Sequence, residues 1–355
     1  MKKIKNLLEK LNKNRSLTLL EYEQLISGYS KEAAEYAAAL AVENRKRVYG
    51  TDIYIRGLIE VSNVCKNDCY YCGIRCSNKN CDRYRLNKED ILLSAKEGYE
   101  LGFRTFVMQG GEDPHFTDEF LVDVITTLKS LYPDCAITLS LGERSRESYK
   151  ALKNAGADRY LLRHETAEKE HYQKLHPENM SFDNRMECLK NLKELGFQVG
   201  CGFMVGSPYQ TVQNLAKDLK FVEEFAPDMC GIGPYLTHKD TPFNNMPSGS
   251  FELTLYLLSI IRLISPEILL PATTALGTIN PKGRELGILA GANVIMPNLS
   301  PMSVRQKYML YDNKACIGDE AAESVNNLKR SMEAIGYTVV CHRGDKRVAF
   351  DPITP

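Results

Sequence analysis

The sequence lacks several features that define common classes of protein. It has no excess of charge, since 45 basic residues are balanced by 45 acidic residues over a length of 355. That balance argues against a general nucleic-acid-binding protein, which would carry a basic excess or stripe. No apolar run is long enough to cross a bilayer, because the longest candidate, LTLYLLSIIRLI, contains Arg262 and is followed by Pro266. We therefore expect neither nucleic acid nor a membrane among the partners.

A secretory signal is not expected either. The first residues, MKKIKNLLEKLNKN, form a charged helical pattern without an apolar central region. The cysteines number eleven, an odd count, and disulfides are not expected without export. With 43% hydrophobic residues, the chain can build one large domain or two small ones with a substantial core. These features predict a cytoplasmic enzyme in a reducing compartment.

The most informative feature present is a group of three cysteines. Cys65, Cys69 and Cys72 have the spacing C-x-x-x-C-x-x-C in the run NVCKNDCYYCG, directly after the β-prone segment IYIRGLIEVS. Three thiolates on one short loop can hold three irons of a cubane cluster and leave the fourth iron without a protein ligand. The spacing therefore predicts an iron–sulfur site with one open, reactive iron.

Zinc is the main alternative metal for this loop. Closed zinc sites take four ligands, and no second C-x-x-C or Cys/His pair follows at a suitable separation. A zinc knot made of Cys69, Cys72, Cys76 and Cys81 stays open as an interpretation, although it would leave Cys65 unused.

Apolar β-type runs alternate with amphipathic helical stretches at intervals of about 25 to 40 residues, as in parallel βαβ units. Eight runs are predicted as strands: IYIRGLIEVS, RTFVMQG, AITLSL, DRYLLRHE, QVGCGFMVG, DMCGIGPYL, ILLPATTA and ANVIMP. No linker divides the series, and eight parallel strands close a barrel. The predicted fold class is α/β, a (β/α)8 TIM-type barrel at 50–300. A helical cap at 1–49 precedes it, and a helical C-terminal extension at 301–355 packs on it.

Polar residues stand near the C-terminal ends of most predicted strands, where such a barrel places its active site. Simpler structural interpretations compete with this one. Gly110 and Gly111 can form only a tight turn. Arg163 and Glu165 can pair with each other because strand residues two apart share a face, and His164 on the opposite face is expected to pack against a helix.

The chain resembles the radical S-adenosylmethionine (SAM) superfamily. The likeness lies in C-x-x-x-C-x-x-C, with an aromatic residue before the third cysteine, and in a G-G-E run one βα unit later. Over almost the whole chain it narrows to the biotin-synthase-like branch and the FeFe-hydrogenase maturases, through RHETA, GIGP and PATTALGT. The resemblance implies that the open iron binds SAM and that reductive cleavage gives methionine and a 5'-deoxyadenosyl radical.

The resemblance also implies roles for individual residues. The cluster is expected to be held by the catalytic thiols of Cys65, Cys69 and Cys72. The expected SAM contacts are Tyr71, Gly110, Gly111, Glu112, Ser140, Glu165 and Arg185. The expected lining of a polar, anion-accepting substrate cavity is Thr138, Arg159, Arg163, Thr273, Thr274 and Tyr308.

The chain departs from the family pattern in one stretch. Many of these maturases carry a second cysteine set after the last strand, whereas YMLYDNKACIGDEAAESVNN contains Cys316 alone. One thiolate cannot hold such a cluster. We therefore predict one 4Fe-4S cluster per chain, with Cys316 structural or incidental.

The function that the resemblance implies is maturation of the FeFe-hydrogenase active site, in synthesis of its dithiolate bridge from a small-molecule or iron-containing precursor. Its implied partners are an electron donor such as a ferredoxin or flavodoxin and other hydrogenase maturation proteins. Two alternatives stay open. One is a biotin-synthase-like or methylornithine-synthase-like enzyme with a carbon substrate, and the other is a non-catalytic metal-binding barrel.

Overall fold

A computed structural model describes residues 1–315 and 321–347 of the chain. The helices in these ranges are α1 (Lys2–Asn14), α2 (Leu19–Ser27), α3 (Lys31–Tyr49), α4 (Lys88–Glu100), α5 (Asp118–Leu131), α6 (Arg146–Asn154), α7 (Lys169–Leu175), α8 (Phe182–Glu194), α9 (Val212–Phe225), α10 (Phe251–Ile264), α11 (Thr274–Ile279), α12 (Gly283–Leu289), α13 (Met302–Arg305) and α14 (Ala321–Ala334). The strands are β1 (Asp52–Ile55), β2 (Gly57–Ser62), β3 (Thr105–Gly110), β4 (Ala136–Ser140), β5 (Arg159–Leu161), β6 (Gln198–Cys201), β7 (Met204–Val205), β8 (Met229–Cys230), β9 (Gly233–Pro234), β10 (Val294–Ile295) and β11 (Thr338–Val340).

The strands close into a parallel barrel. Six of them form one sheet in the order β2-β3-β4-β5-β6-β8. Beyond β8, Leu269 bridges Met229, and Pro271 bridges Val294 of β10. The circle is completed because β10 pairs with β1, whose chain continues directly into β2. The predicted (β/α)8 TIM-type barrel is confirmed.

Several predicted strands are divided or shortened in the structure, among them the first and the seventh. The first, residues 53–62, is interrupted at Arg56: β1 pairs with β10 and β11, while β2 pairs with β3. The seventh, residues 268–275, is held only by isolated bridges, and α11 begins at Thr274. Pro271 has no N–H to donate to a sheet, so this segment cannot form a regular ladder on both sides.

The helices around the barrel begin at residues that suit their positions. Thr117, Ser145, Ser181 and Thr211 each cap the next helix by accepting a hydrogen bond from a backbone N–H in its first turn. Three of these caps lie in loops that follow strands, and Ser181 lies in the turn between α7 and α8. They fix where each helix starts and therefore how each loop crosses the open end of the barrel.

Helices α1, α2 and α3 form the predicted N-terminal helical layer. Helix α3 packs along α10, and α2 packs along α9. Glu223 of α9 anchors this layer by accepting hydrogen bonds from Ser16 and Tyr22, each at 2.7 Å. Among the described helices, none is both long enough and apolar enough to span a bilayer.

The C-terminal extension contains a strand as well as helices. Strand β11 adds to the sheet beside β1. The chain then runs beneath the barrel, where Arg343 pairs with Asp158 at 2.9 Å and Lys346 with Asp228 at 3.2 Å. These carboxylates precede β5 and β8, so the extension covers the N-terminal end of the barrel and leaves the other end for the site. The domain boundaries predicted at residues 49 and 300 stay predictions.

Candidate active site

The C-terminal ends of the strands surround a cavity of about 340 Å³. Cys65, Cys69 and Cys72 all line it, and they belong to the loop that follows β2. The cavity is within the size range of small-molecule sites, which are about 300 to 1,000 Å³. The barrel therefore places the three-cysteine motif where its architecture predicts an active site.

The cysteine loop is held by hydrogen bonds within the protein. The N–H of Glu112 donates to Cys65 Sγ at 3.3 Å, and the N–H of Cys72 donates to the Cys69 carbonyl at 3.3 Å. Asp68 accepts from Arg75 Nε at 2.7 Å. Burial acts to raise the pKa of Asp68, but hydrogen bonds from Arg75 and Ser77 lower it overall. The loop is therefore shaped by the protein's own contacts.

The three thiols lie in a setting that disfavours free thiolates. Burial raises the pKa of Cys65 and Cys69, and it raises that of Cys72 to about 12. Hydrogen bonds from the N–H groups of Asn67 and Glu112 offset part of this effect at Cys65. Bound cations reverse such shifts, and a coordinating thiol is deprotonated outright. Three half-buried thiols that line the same cavity therefore suit iron.

The arrangement fits a polynuclear cluster better than a single ion. Across the two described ranges, no three His, Cys, Asp or Glu side chains come close enough together to hold one metal ion. The same finding holds for Cys69, Cys72, Cys76 and Cys81, so the zinc knot is not assembled among the described residues. In a cubane each thiolate binds a different iron, so the thiols need not converge on one point. Cys316 lies outside the described residues.

The G-G-E run forms the edge of the cavity beside Cys65. A Cβ added at Gly111 would lie 2.2 Å from the Val64 carbonyl, so only glycine fits there. The Glu112 carboxylate accepts from the Glu143 N–H at 3.0 Å and lies 3.3 Å from Lys66 Nζ. Gly142, with φ of 75°, faces it so closely that a Cβ would lie 1.9 Å from Glu112 Cγ. The carboxylate is held against the edge on which the cofactor's amino group is expected.

Arg185 reaches this edge from α8 and is buried. Its Nε donates to Glu143 Oε1 at 2.5 Å, its Nη1 donates to the Arg163 carbonyl at 3.1 Å, and its Nη2 lies 3.9 Å from Glu112 Oε1. Burial by itself lowers the pKa of Arg185, but the neighbouring carboxylates, Glu143 first, raise it well above its ordinary value. The guanidinium is therefore charged and oriented toward the cavity.

Glu165 carries the most unusual backbone of the site. Its φ of 64° is rare for a residue with a side chain, and such conformations concentrate at functional sites. Arg163 Nη2 lies 3.4 Å from Glu165 Oε2, yet neither atom has a hydrogen-bond partner. His164, as predicted, points the other way and lies 3.5 Å from Asp218 of α9. Arg163 and Glu165 thus form an ion pair whose facing atoms make no hydrogen bond, so both side chains can still serve a polar ligand.

The expected substrate residues are only partly brought together. Arg163, Thr273, Thr274 and Tyr308 line the cavity, whereas Thr138 and Arg159 do not. Arg159 begins β5 at the opposite end of the barrel, and its guanidinium donates to Asp345 at 2.6 Å, Thr105 at 3.0 Å and Gln198 at 3.0 Å. The prediction that Arg159 lines the cavity is therefore wrong. Strand β5 begins at Arg159, and the end of β5 that faces the cysteines lies further along the chain.

Sequence reasoning missed three residues of the site. Glu60 and Lys314 line the cavity and are ion-paired with each other. His176 contacts the hydroxyl of Tyr71, which also lines the cavity. Glu60 could have been found, since it is a lone carboxylate inside an apolar β run. No local pattern marks His176 or Lys314, because each meets its partner only in the folded chain.

A barrel of eight parallel segments, with three C-x-x-x-C-x-x-C thiols at its C-terminal mouth, defines the radical SAM class. The family model described as the Radical SAM superfamily matches residues 59–222. The chain is 42% identical over 349 residues to the FeFe-hydrogenase maturase subunit HydE of Thermotoga maritima, covering 98% of this chain and 99% of that one.

More distant relatives agree with this assignment. Biotin synthase of Macrococcus caseolyticus is 24% identical over 307 residues, covering 84% of this chain and 86% of that one. The crystal structure of methylornithine synthase (PylB) superposes with a TM-score of 0.83 at 26% identity, covering 94% of this chain and 97% of that one. The chain therefore belongs to the radical SAM superfamily, in the branch that contains HydE and biotin synthase. It is a radical SAM enzyme, and its family uses a 4Fe-4S cluster and SAM.

Proposed function

We propose that this enzyme acts in maturation of FeFe-hydrogenase, in synthesis of the dithiolate bridge of the active site. The observation that carries the proposal is 42% identity to HydE over nearly the full length of both chains. The proposed partners are other hydrogenase maturation proteins and an electron donor such as a ferredoxin or flavodoxin. The proposed substrate is a small-molecule or iron-containing precursor.

The proposed cofactor contacts follow from the geometry of the mouth. Cys65, Cys69 and Cys72 would hold the cluster, which supplies the electron that breaks the sulfonium of SAM. Glu112 offers a carboxylate to an ammonium group beside the Gly111 backbone, and Arg185 offers its guanidinium to a carboxylate. The other proposed SAM contacts, which all line the same cavity, are Tyr71, Gly110, Ser140 and Glu165.

The proposed substrate region lies beside these contacts. Its support is a set of buried polar atoms that make no hydrogen bond within the protein, Thr273 Oγ1 and Arg163 Nε and Nη2, although Arg163 Nη2 also lies 3.4 Å from Glu165 Oε2. Tyr308 adds a hydroxyl that accepts from Gln109 at 3.3 Å, and Thr274 lines the same wall. Buried groups of this kind are normally satisfied, so they favour a polar or anionic ligand. Enclosure in the barrel would also keep water from a reactive species.

Anaerobic reconstitution with iron and sulfide, followed by reduction in the presence of SAM, tests the chemistry. We expect 5'-deoxyadenosine to be released. The Cys72→Ala variant is the matched negative control, and Cys81→Ala should behave like the unmodified enzyme because its thiol lies off the proposed ligand set. No release from protein with verified iron content would contradict the proposal.

Complementation tests the biological reaction. A strain that lacks HydE should regain hydrogenase activity when it expresses this chain, but not when it expresses the Cys72→Ala variant. The second candidate is an enzyme with a carbon substrate, favoured by the TM-score of 0.83 with methylornithine synthase. Formation of 3-methylornithine by the purified enzyme, together with failed complementation, would favour that candidate and overturn the first.

A further inference from the structure

The last residue of α7 and the turn that follows it contact the cysteine loop at three points. The N–H of Tyr70 donates to the Leu175 carbonyl at 3.0 Å. The hydroxyl of Tyr71 lies 3.1 Å from His176 Nε2. The thiol of Cys69 lies 3.8 Å from Met180 Sδ. This segment therefore touches both aromatic residues of the C-Y-Y-C step and one of the thiols, although it lies outside every motif in the sequence.

The hydrogen bonds of His176 fix its tautomer. Its Nδ1 lies 2.9 Å from the carbonyl oxygen of Tyr172, and a carbonyl only accepts, so Nδ1 carries the proton. Burial lowers the pKa of His176 to about 3, so the ring is neutral at physiological pH. In a neutral imidazole the other nitrogen is an acceptor. The hydroxyl of Tyr71 must therefore donate to His176 Nε2.

The imidazole ring is also fixed in its plane. Tyr172 stacks on it, with ring centroids 3.9 Å apart and an interplanar angle of 24°. Tyr71 meets it edge-on, with centroids 5.4 Å apart at 85°. His176 is almost fully buried and does not line the cavity, whereas Tyr71 does. His176, held rigidly behind the cavity wall, therefore fixes the orientation of the Tyr71 ring, which faces the cavity.

We infer that His176 is a positioning residue that holds the Tyr71 ring in place for its proposed contact with SAM. The inference rests on the proposed SAM contact of Tyr71. A ring pre-oriented in the free protein loses less conformational freedom when the ligand binds, so the hydrogen bond strengthens binding without touching the ligand. His176 acts through Tyr71 and takes no part in the chemistry.

Three variants separate positioning from simple stability. His176→Leu removes the acceptor, Tyr71→Phe removes only the donor oxygen, and His176→Gln keeps a side-chain acceptor. The Kd for SAM of the anaerobically reconstituted protein, followed by the spectrum of the cluster, is the first readout. The Kd for S-adenosylhomocysteine, which cannot be cleaved as SAM is, is a second readout that requires no turnover.

We expect His176→Leu and Tyr71→Phe each to raise both Kd values about three- to tenfold, the range for one net hydrogen bond. The double variant should be no weaker than either single one, and His176→Gln should recover part of the affinity. His171→Leu is the matched control. It removes an equally buried histidine whose partners, Thr166 and Pro208, do not themselves line the cavity, so it should lower the melting temperature without changing Kd.

Two outcomes overturn the inference. One is an unchanged Kd in His176→Leu and Tyr71→Phe, and the other is strictly additive losses in the double variant. If His176→Leu fails to fold, Tyr71→Phe with its intact ring still decides the matter. An unmodified enzyme that neither binds nor cleaves SAM would instead overturn the proposed function, so the two failures are distinguishable.

Discussion

Lys314 and Glu60 form a buried ion pair on the wall of the cavity, although 254 residues separate them in the chain. Lys314 Nζ also donates to the Tyr308 carbonyl at 2.9 Å and lies 4.7 Å from the centre of the Tyr308 ring. On the other side, Asn298 donates to Glu60 Oε2 at 2.9 Å. The pair ties the segment after the barrel to β2 and places the Tyr308 side chain in the cavity.

Removing the cation alone should destabilise the enzyme strongly. Lys314→Met leaves the Glu60 carboxylate buried without its partner, which costs about 3 to 5 kcal/mol for a buried pair. Denaturant unfolding of the purified protein measures the loss. The double variant Lys314→Met/Glu60→Gln should recover much of it, because no unpaired charge is left buried. Equal stability of the single and double variants would contradict this reading of the pair.

The three proposed ligand cysteines should be individually essential. Alanine at Cys65, Cys69 or Cys72 removes the only thiolate on one iron, so iron content and 5'-deoxyadenosine release should both fall to background. Alanine at Cys76 or Cys81 should leave both unchanged. If Cys76→Ala lost the cluster as completely as Cys72→Ala, the proposed ligand set would be wrong.

Met180 should influence the reduction potential of the cluster, since its thioether lies against Cys69 Sγ. Solvent exposure is one of the factors that set such potentials, and a more polar surrounding favours the more highly charged reduced form. Met180→Ser should therefore raise the midpoint potential in a redox titration followed by electron paramagnetic resonance. Met180→Leu, which keeps an apolar cover, should stay near the value of the unmodified enzyme. Equal potentials in the two variants would exclude this role.

The ion pair at the closed end of the barrel should give a pH-dependent contribution to stability. Burial acts to raise the pKa of Asp345, but Arg343 and Arg159 lower it to about 2. A depressed folded-state pKa contributes stability that is complete above the unfolded value near 3.8 and is lost as the pH falls toward 2. Allowing for partial exposure of the carboxylate, Asp345→Asn should cost about 1 to 2 kcal/mol at pH 6.

Unfolding free energies of the unmodified enzyme and Asp345→Asn, measured from pH 6 down to pH 3, check this prediction. The difference between the two should narrow below pH 4. A constant difference over the whole range would show that the loss comes from packing rather than from the charge of Asp345. The same variant tests the position of Arg159, whose guanidinium would lose its carboxylate partner.

Much of the fold could be predicted because it depends on local patterns. Alternating apolar runs and amphipathic helices indicated the barrel, and the side-chain alternation of a strand placed His164 on the face opposite Arg163. The errors arose where local patterns were insufficient. Residues 53–62 are continuously apolar apart from two charges, yet Arg56 separates two pairings, and Pro271 limits the seventh segment to bridges.

The candidate site divides in a similar way. The cysteines and the G-G-E run could be named from the sequence, because they lie in short motifs whose residue types suit the chemistry. Arg185 could be named only through the resemblance to the radical SAM superfamily. His176 and Lys314 could not be named, since their importance comes from a hydrogen bond to Tyr71 and an ion pair with Glu60. The position of Arg159 along the barrel axis was predicted wrongly. The sequence can indicate which face of a strand a residue lies on, but its height in the barrel depends on where the strand begins.

By itself, the sequence determined a composition with balanced charge, an eight-segment parallel barrel and a three-thiol loop at its mouth. These properties depend on residue types and on spacing within one βα unit, so they can be predicted without knowledge of long-range contacts. The tertiary structure alone decided that Arg159 faces the closed end, that Lys314 returns to Glu60, and that His176 holds Tyr71. The physical reason is that each of these contacts joins segments that only the closure of the barrel brings together.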